Sequence, residues 1–317
     1  MRFRTAAHNG CVSFPNPVSS VHDRLRHRAA SELRSRTAGD DAARRARSIW
    51  GTPGERWFTA DDPIWRVHAN ASMFLGGVRA LLLQALHSVA MAGVAQNSTY
   101  RDDPWGRLQQ ISGFISMTTY GSVADAERLM ARVSKVHTRI SGVAPNGRAY
   151  RADDPDLLLW VHCAEIDSFL DAYRRFGAAT LSDADADLYV AQTARAAGGI
   201  GVPTPPGSVA ELRAVLASYR PVLDAGPDAL DVLEYLKHPH GLDGPGRLGY
   251  AALYRGAVAS LPDYALELFG LRFSSARRAV DLRAGDAGVR GIRWMLNDPL
   301  VAGDRLTHDQ LTSVGPA

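Results

Sequence analysis

Residues 72–96 are apolar at almost every position, and such a pattern predicts a helix buried on most sides. Its most hydrophobic part, ALLLQALHSVAMAGVA (80–95), includes Gln84 and His87. It is shorter than the roughly 20 residues that a bilayer span needs, so a core helix is expected and no membrane span. Asp102-Asp103-Pro104 then breaks the chain and caps a second helix from about Trp105 to Thr119. On that helix Arg107, Gln110, Ile111, Phe114, Ile115 and Thr118 recur at i, i+3, i+4, i+7, i+8 and i+11 and share a face. A face that is apolar except at its start fits a cavity wall, and it equally fits a core stripe whose polar end reaches the surface.

Gly121-Ser122 caps a third helix over 123–141, with Gly142 placed just past its end, where a left-handed residue is favoured. Leu129, Val133, Val136, His137 and Ile140 fall on one side of it; Arg128, Arg132, Lys135 and Arg139 fall on the other. The pattern therefore puts a titratable imidazole into an apolar stripe. After a loop with an Asn146-Gly147 turn signal, Asp154-Pro155 opens a fourth helix that closes at Gly177. Its inward face holds Leu158, Leu159, His162, Ile166 and Phe169, and Glu165 stands three residues from His162, a spacing that lets the two side chains converge. Ser182 caps a fifth helix to about Ala197. The Gly/Pro-rich GGIGVPTPPGS (198–208) follows, and then come the shorter helices in SVAELRAVLASYR, PDALDVLEYLKH and LPDYALELFG.

Strand signals are nearly absent, so the expected class is all-α. The later helices carry apolar faces that need a partner, which favours one multi-helix domain over two despite the Gly/Pro-rich segment. That domain is expected to span 46–304, with a partly ordered basic lead-in (1–45) and a tail (305–317).

A 46% hydrophobic and 22% charged composition is that of a soluble globular protein. The net charge of +3 is concentrated in RLRHRAASELRSR and ARRARSIWG near the N-terminus. These stretches lack interleaved aromatics and zinc-ligand spacing, so they read as a solvated arm, with no nucleic-acid partner expected. Cys11 and Cys163 cannot build a disulfide framework, and the first twenty residues have no apolar leader region, so a cytoplasmic protein is expected. There is no phosphate loop, nucleophile elbow or CxxC pair.

Histidines and arginines on helices remain. His137 fits a core histidine bonded to a nearby carbonyl. It also fits a desolvated neutral imidazole able to ligate iron. His162 with Glu165 reverses the Glu-x-x-His order of dinuclear carboxylate sites, and no second copy exists. A mononuclear non-haem iron centre of His137, His162 and Glu165 stays open, as does a non-catalytic helical ligand- or haem-binding protein.

Several segments, in order, resemble a known family: DDPIWRVHANASMFLGGVRALLLQALHSVAMAGVAQNS, RDDPWGRLQQISGFI, VSKVHTRISG, YRADDPDLLLWVHCAEIDSFLDAYRRFG and LYVAQTARAAGGIGVP. Together, over about 57–270, they are similar to the oxygenase family of the MpaB-type enzymes and the latex-clearing rubber oxygenases. The resemblance implies a globin-like haem-binding core with haem b (iron), and a haem-dependent oxidoreductase that uses O2 or peroxide. It assigns the proximal iron ligand to His137 and distal roles to Arg107 and Gln110. It also implies that Ile111, Phe114 and His162 line the pocket and that Arg79 is a partner for a propionate or a structural anion. In the family's Arg-x-x-Lys-Thr stretch the lysine and threonine positions are here Gln110 and Ile111, so a lysine-ligated resting state is not expected. The expected substrate is an intracellular hydrophobic or aromatic small molecule, in secondary metabolism. The expected reaction is oxygen insertion, C=C cleavage or dehydrogenation.

Overall fold

A computed structural model describes residues 17–39, 42–98, 103–239, 241–242 and 244–297. In order they form α1 (Pro17–Ala38), α2 (Ala42–Trp50), α3 (Pro63–His68), α4 (Ser72–Ala85), α5 (Ser88–Asn97), α6 (Pro104–Tyr120), α7 (Val123–His137), β1 (Ser141–Val143), β2 (Ala149–Arg151), α8 (Pro155–Phe176), α9 (Asp183–Ile200), α10 (Val209–Tyr219), a 3-10 turn, α11 (Pro227–Lys237), α12 (Gly244–Ala259), α13 (Asp263–Leu268) and α14 (Ser275–Leu296). The class is all-α, as the periodicity predicts.

The centre of the fold is α4, which packs along α8 and is covered by α11, α12 and α14. Leu75, Leu82 and Leu83 are fully enclosed there, so the all-round apolarity of this segment reflects burial on all sides. Small residues let the helices approach. A Cβ on Gly256 of α12 would sit 2.5 Å from the Cα of Gly285 on α14, so no larger residue fits that crossing without a shift of backbone. Arg79 lies within this core, and its guanidinium donates to Asp167 Oδ2 (2.8 Å), Ser168 Oγ (2.7 Å) and the Ser260 carbonyl (3.3 Å), with Asp171 Oδ2 at 3.6 Å.

Two sequence expectations need correction. The apolar stretch 72–96 is two helices bent by 110° rather than one. His87 leaves the helical conformation and caps α5, its Nδ1 accepting from the Ala90 amide, while the Gln84 carbonyl accepts from both the His87 amide and Trp160 Nε1. No single helix among the described residues is long and apolar enough to cross a membrane. The third helix ends at His137, four residues early, because the chain turns into a β-hairpin. Gly142 pairs with Tyr150 in this hairpin instead of ending a helix, and Asn146-Gly147 forms its turn, Gly147 taking φ +81°. Tyr150 pins the hairpin to α5, donating to Gln96 Oε1 and accepting from Asn97 Nδ2. Val136 is 49% exposed, so the apolar stripe of α7 is narrower than periodicity suggests.

Candidate functional site

The outer side of α6 is held by α1. Gln109 Nε2 donates to the Arg36 carbonyl, Ser112 Oγ to the Thr37 carbonyl, and the Arg36 guanidinium lies over the Trp105 ring. Asp103 caps the start of α6 by accepting from the Gly106 amide. With its back fixed, α6 presents Arg107, Ile111, Phe114 and Ile115 inward. None of these is fully closed off, although α1, α2, α3 and α7 all pack on the helix. There is no extensive packing between α6 and α8.

Arg107 on α6 and Glu165 on α8 act on each other, and the field of Arg107 also reaches His137 at the end of α7. Burial pushes the Glu165 carboxyl up to about 7 against the pull of Arg107. Burial likewise lowers His137, helped by Arg107 and opposed by Asp153, and takes His162 down to about 4. Both imidazoles are therefore neutral at physiological pH. Among the described residues each has a buried ring nitrogen without a hydrogen-bond partner: Nδ1 of His137 and Nε2 of His162.

A second cluster adjoins the first. His68 at the end of α3 is half-buried, with Nδ1 2.8 Å from Thr119 Oγ1 and Nε2 3.3 Å from Tyr189 OH on α9. Desolvation lowers it to about 3. Tyr189 in turn feels the charge of Glu165, which links this network to α8. Sequence reasoning singled out neither His68 nor Tyr189. The one signal available was a polar residue closing a short, otherwise buried helix.

The structure thus puts His137, Arg107 and Glu165 within reach of one another's charge through Arg107, places His162 one turn from Glu165, and leaves Ile111 and Phe114 half-buried on the same helix as Arg107. Gln110 is exposed. Arg79 belongs to the separate α4–α8 core cluster described above. Among the described residues no three His, Cys, Asp or Glu side chains converge as metal ligands, so His137, His162 and Glu165 are not a preformed non-haem iron triad. Buried Cys163, its thiol pushed up to about 12, is an inert core residue.

Residues 65–294 match the family described as ER-bound oxygenase mpaB/B'/rubber oxygenase, catalytic domain. The chain belongs to this family. The match begins in α3, ends within α14, and contains every residue of the group just described. No curated protein and no solved structure matches the chain. Membership in the MpaB/rubber oxygenase family makes the chain an oxidoreductase of the oxygenase type, for which a small-molecule substrate and O2 are the general expectation.

Proposed function

We propose that this MpaB/rubber oxygenase family protein is a haem b-dependent oxygenase or oxidase acting on a hydrophobic or aromatic small molecule, with O2 or peroxide as oxidant. The observation that carries the reading is His137: a half-buried, neutral imidazole with an unpartnered ring nitrogen, inside the family's catalytic domain. A buried nitrogen without a partner costs free energy, and iron ligation relieves that cost. A globin-like haem core bounded by α6, α7 and α8 fits these residues. His137 would hold the iron, and His162 would line the pocket.

Bound haem supplies the site with oxygen binding and activation. The chain's own residues prepare the surroundings. Ile111, Phe114 and Ile115 give an apolar wall that shapes the substrate and excludes water. Arg107 holds a fixed positive charge where negative charge develops. The Glu165 carboxyl, protonated below about 7, can give up a proton from the α8 side and take one back. Oxygen insertion, C=C cleavage and dehydrogenation all suit this arrangement. Titrating the purified protein with haem tests the reading. The expected result is a Soret band that is lost or shifted in His137→Ala and kept in His162→Ala. Haem binding unchanged in His137→Ala would remove the ligand assignment.

A further inference from the structure

Tyr189, His68 and three further rings form a cluster that the proposed chemistry does not use. Tyr189 on α9 is completely enclosed, and its hydroxyl lies 3.3 Å from His68 Nε2, its one hydrogen-bond partner among the described residues. A buried phenol O–H has to donate, so Nε2 is the acceptor, and the other ring nitrogen, Nδ1, donates to Thr119 Oγ1 at 2.8 Å. Burial holds His68 down to about 3, which leaves it unprotonated and free to take a proton. Trp65 stands one turn before His68 on α3, and Tyr120 follows Thr119 on α6. The rings of Trp65 and Tyr120 meet edge to face at 4.8 Å, and Trp50 on α2 stacks on Tyr120 at 4.9 Å and meets Trp65 at 5.6 Å. The Arg56 guanidinium fixes this contact by donating to the carbonyls of both Trp50 and Tyr120. Trp50 is only half-buried, so the series of rings starts in the core and ends near the surface.

We propose that Tyr189 with His68, followed by Trp65, Tyr120 and Trp50, forms an exit route for oxidising equivalents, used when oxygen is activated with no substrate to receive it. The proposal rests on oxygen activation by a member of this family, and not on haem as its cofactor. The internal oxidant takes one electron from Tyr189, and the phenolic proton passes to His68 Nε2, because an oxidised phenol is a strong acid and cannot hold its proton. An electron from the Trp65, Tyr120 and Trp50 cluster then crosses the His68 ring and one turn of α3 to Tyr189, and His68 returns the proton. The hole is left on Trp50, where a thiol or ascorbate from solution fills it. Each passage carries one electron inward, and two passages, with two protons from solvent, reduce one peroxide to two molecules of water. An oxidant formed among aliphatic and aromatic side chains attacks the protein itself when nothing consumes it, and this route gives it another outlet.

Flash photolysis of the haem-free protein tests the route without a cofactor. Photogenerated tris(bipyridine)ruthenium(III) oxidises the protein from solution, and a tryptophanyl radical is expected to decay as a tyrosyl radical grows in. Tyr189→Phe, which removes one hydroxyl, loses the tyrosyl phase. His68→Gln, which keeps a hydrogen-bonding side chain but cannot take up the proton, loses it too. In the haem-loaded protein, hydrogen peroxide without substrate is expected to give a tyrosyl signal in electron paramagnetic resonance. That signal is absent in Tyr189→Phe and longer-lived in Trp50→Phe, where the outlet is cut. Tyrosyl signals that persist unchanged in Tyr189→Phe overturn the proposal, as does equal decay in wild type and Trp50→Phe. A flash signal with no peroxide signal in the haem-loaded protein also overturns it, because the route then does not serve oxygen chemistry. A protein that takes up no haem, yet forms a flash-generated tyrosyl radical that depends on Tyr189 and His68, would end the haem reading while leaving this one standing.

Discussion

Two arginines sit deep in this fold, and their surroundings differ. Arg79 is 3% exposed and met by Asp167, Asp171, Ser168 and the Ser260 carbonyl. Arg107 is half-buried, and among the described residues it makes no hydrogen bond or ion pair; the charge of Glu165 acts on it without contact. Buried charge that is fully matched holds helices together. Buried charge left unmatched marks a place kept ready for a ligand. The same contrast divides the molecule: α4, α8, α12 and α14 interlock, whereas α6 and α8 stand apart.

Substitutions sharpen the contrast. Arg79→Ala takes away the ion-pair partner of half-buried Asp167, while Asp171 keeps Arg175, and is expected to cost about 2–3 kcal/mol in denaturant unfolding. Arg107→Gln should cost less than about 1 kcal/mol, since it leaves no matched partner behind; equal losses at the two positions would erase the distinction. Gly256→Ala forces a methyl onto the Gly285 backbone and should cost about 1–3 kcal/mol, against a smaller effect for Phe114→Leu on the open wall.

Titration separates the regions further. His162 and His68 are held at about 4 and about 3, below the unfolded value of 6.5. In that range the unfolded chain binds more protons, so stability should fall as pH drops from about 6.5 towards 4. Glu165 works in the opposite direction. Its folded value of about 7 exceeds the unfolded 4.5, so the folded state keeps a proton that the unfolded chain releases, and stability declines as pH rises through that window. Glu165→Gln should therefore stabilise the protein by about 1–2 kcal/mol at pH 8 and hardly at pH 4.5. Thermal melts at the two pH values check this, and an unchanged difference would mean that Glu165 is not desolvated.

Much of this contrast is readable in the residues, up to a point. Helical periodicity and the Asp-Pro and Ser caps locate α6, α8 and α9 to within a few residues, because those signals are local. The break at His87 is not legible in the apolar pattern, since part of what satisfies the helix end, the bond from Trp160 Nε1 to the Gln84 carbonyl, comes from a residue distant in sequence. The end of α7 was missed because the pairing of Gly142 with Tyr150 outweighs the helical pattern of Ile140. An arginine in an apolar face was visible at both 79 and 107, but its partner was not. Whether Asp167 touches Arg79, or Glu165 only approaches Arg107, is a matter of how helices distant in sequence are placed.

The proposed role of His137 as iron ligand can be probed by chemical rescue. His137→Gly, titrated with haem, should lack the Soret and charge-transfer features of the wild type, and free imidazole should restore them. A His137→Gly spectrum identical to wild type before any imidazole is added would contradict the account.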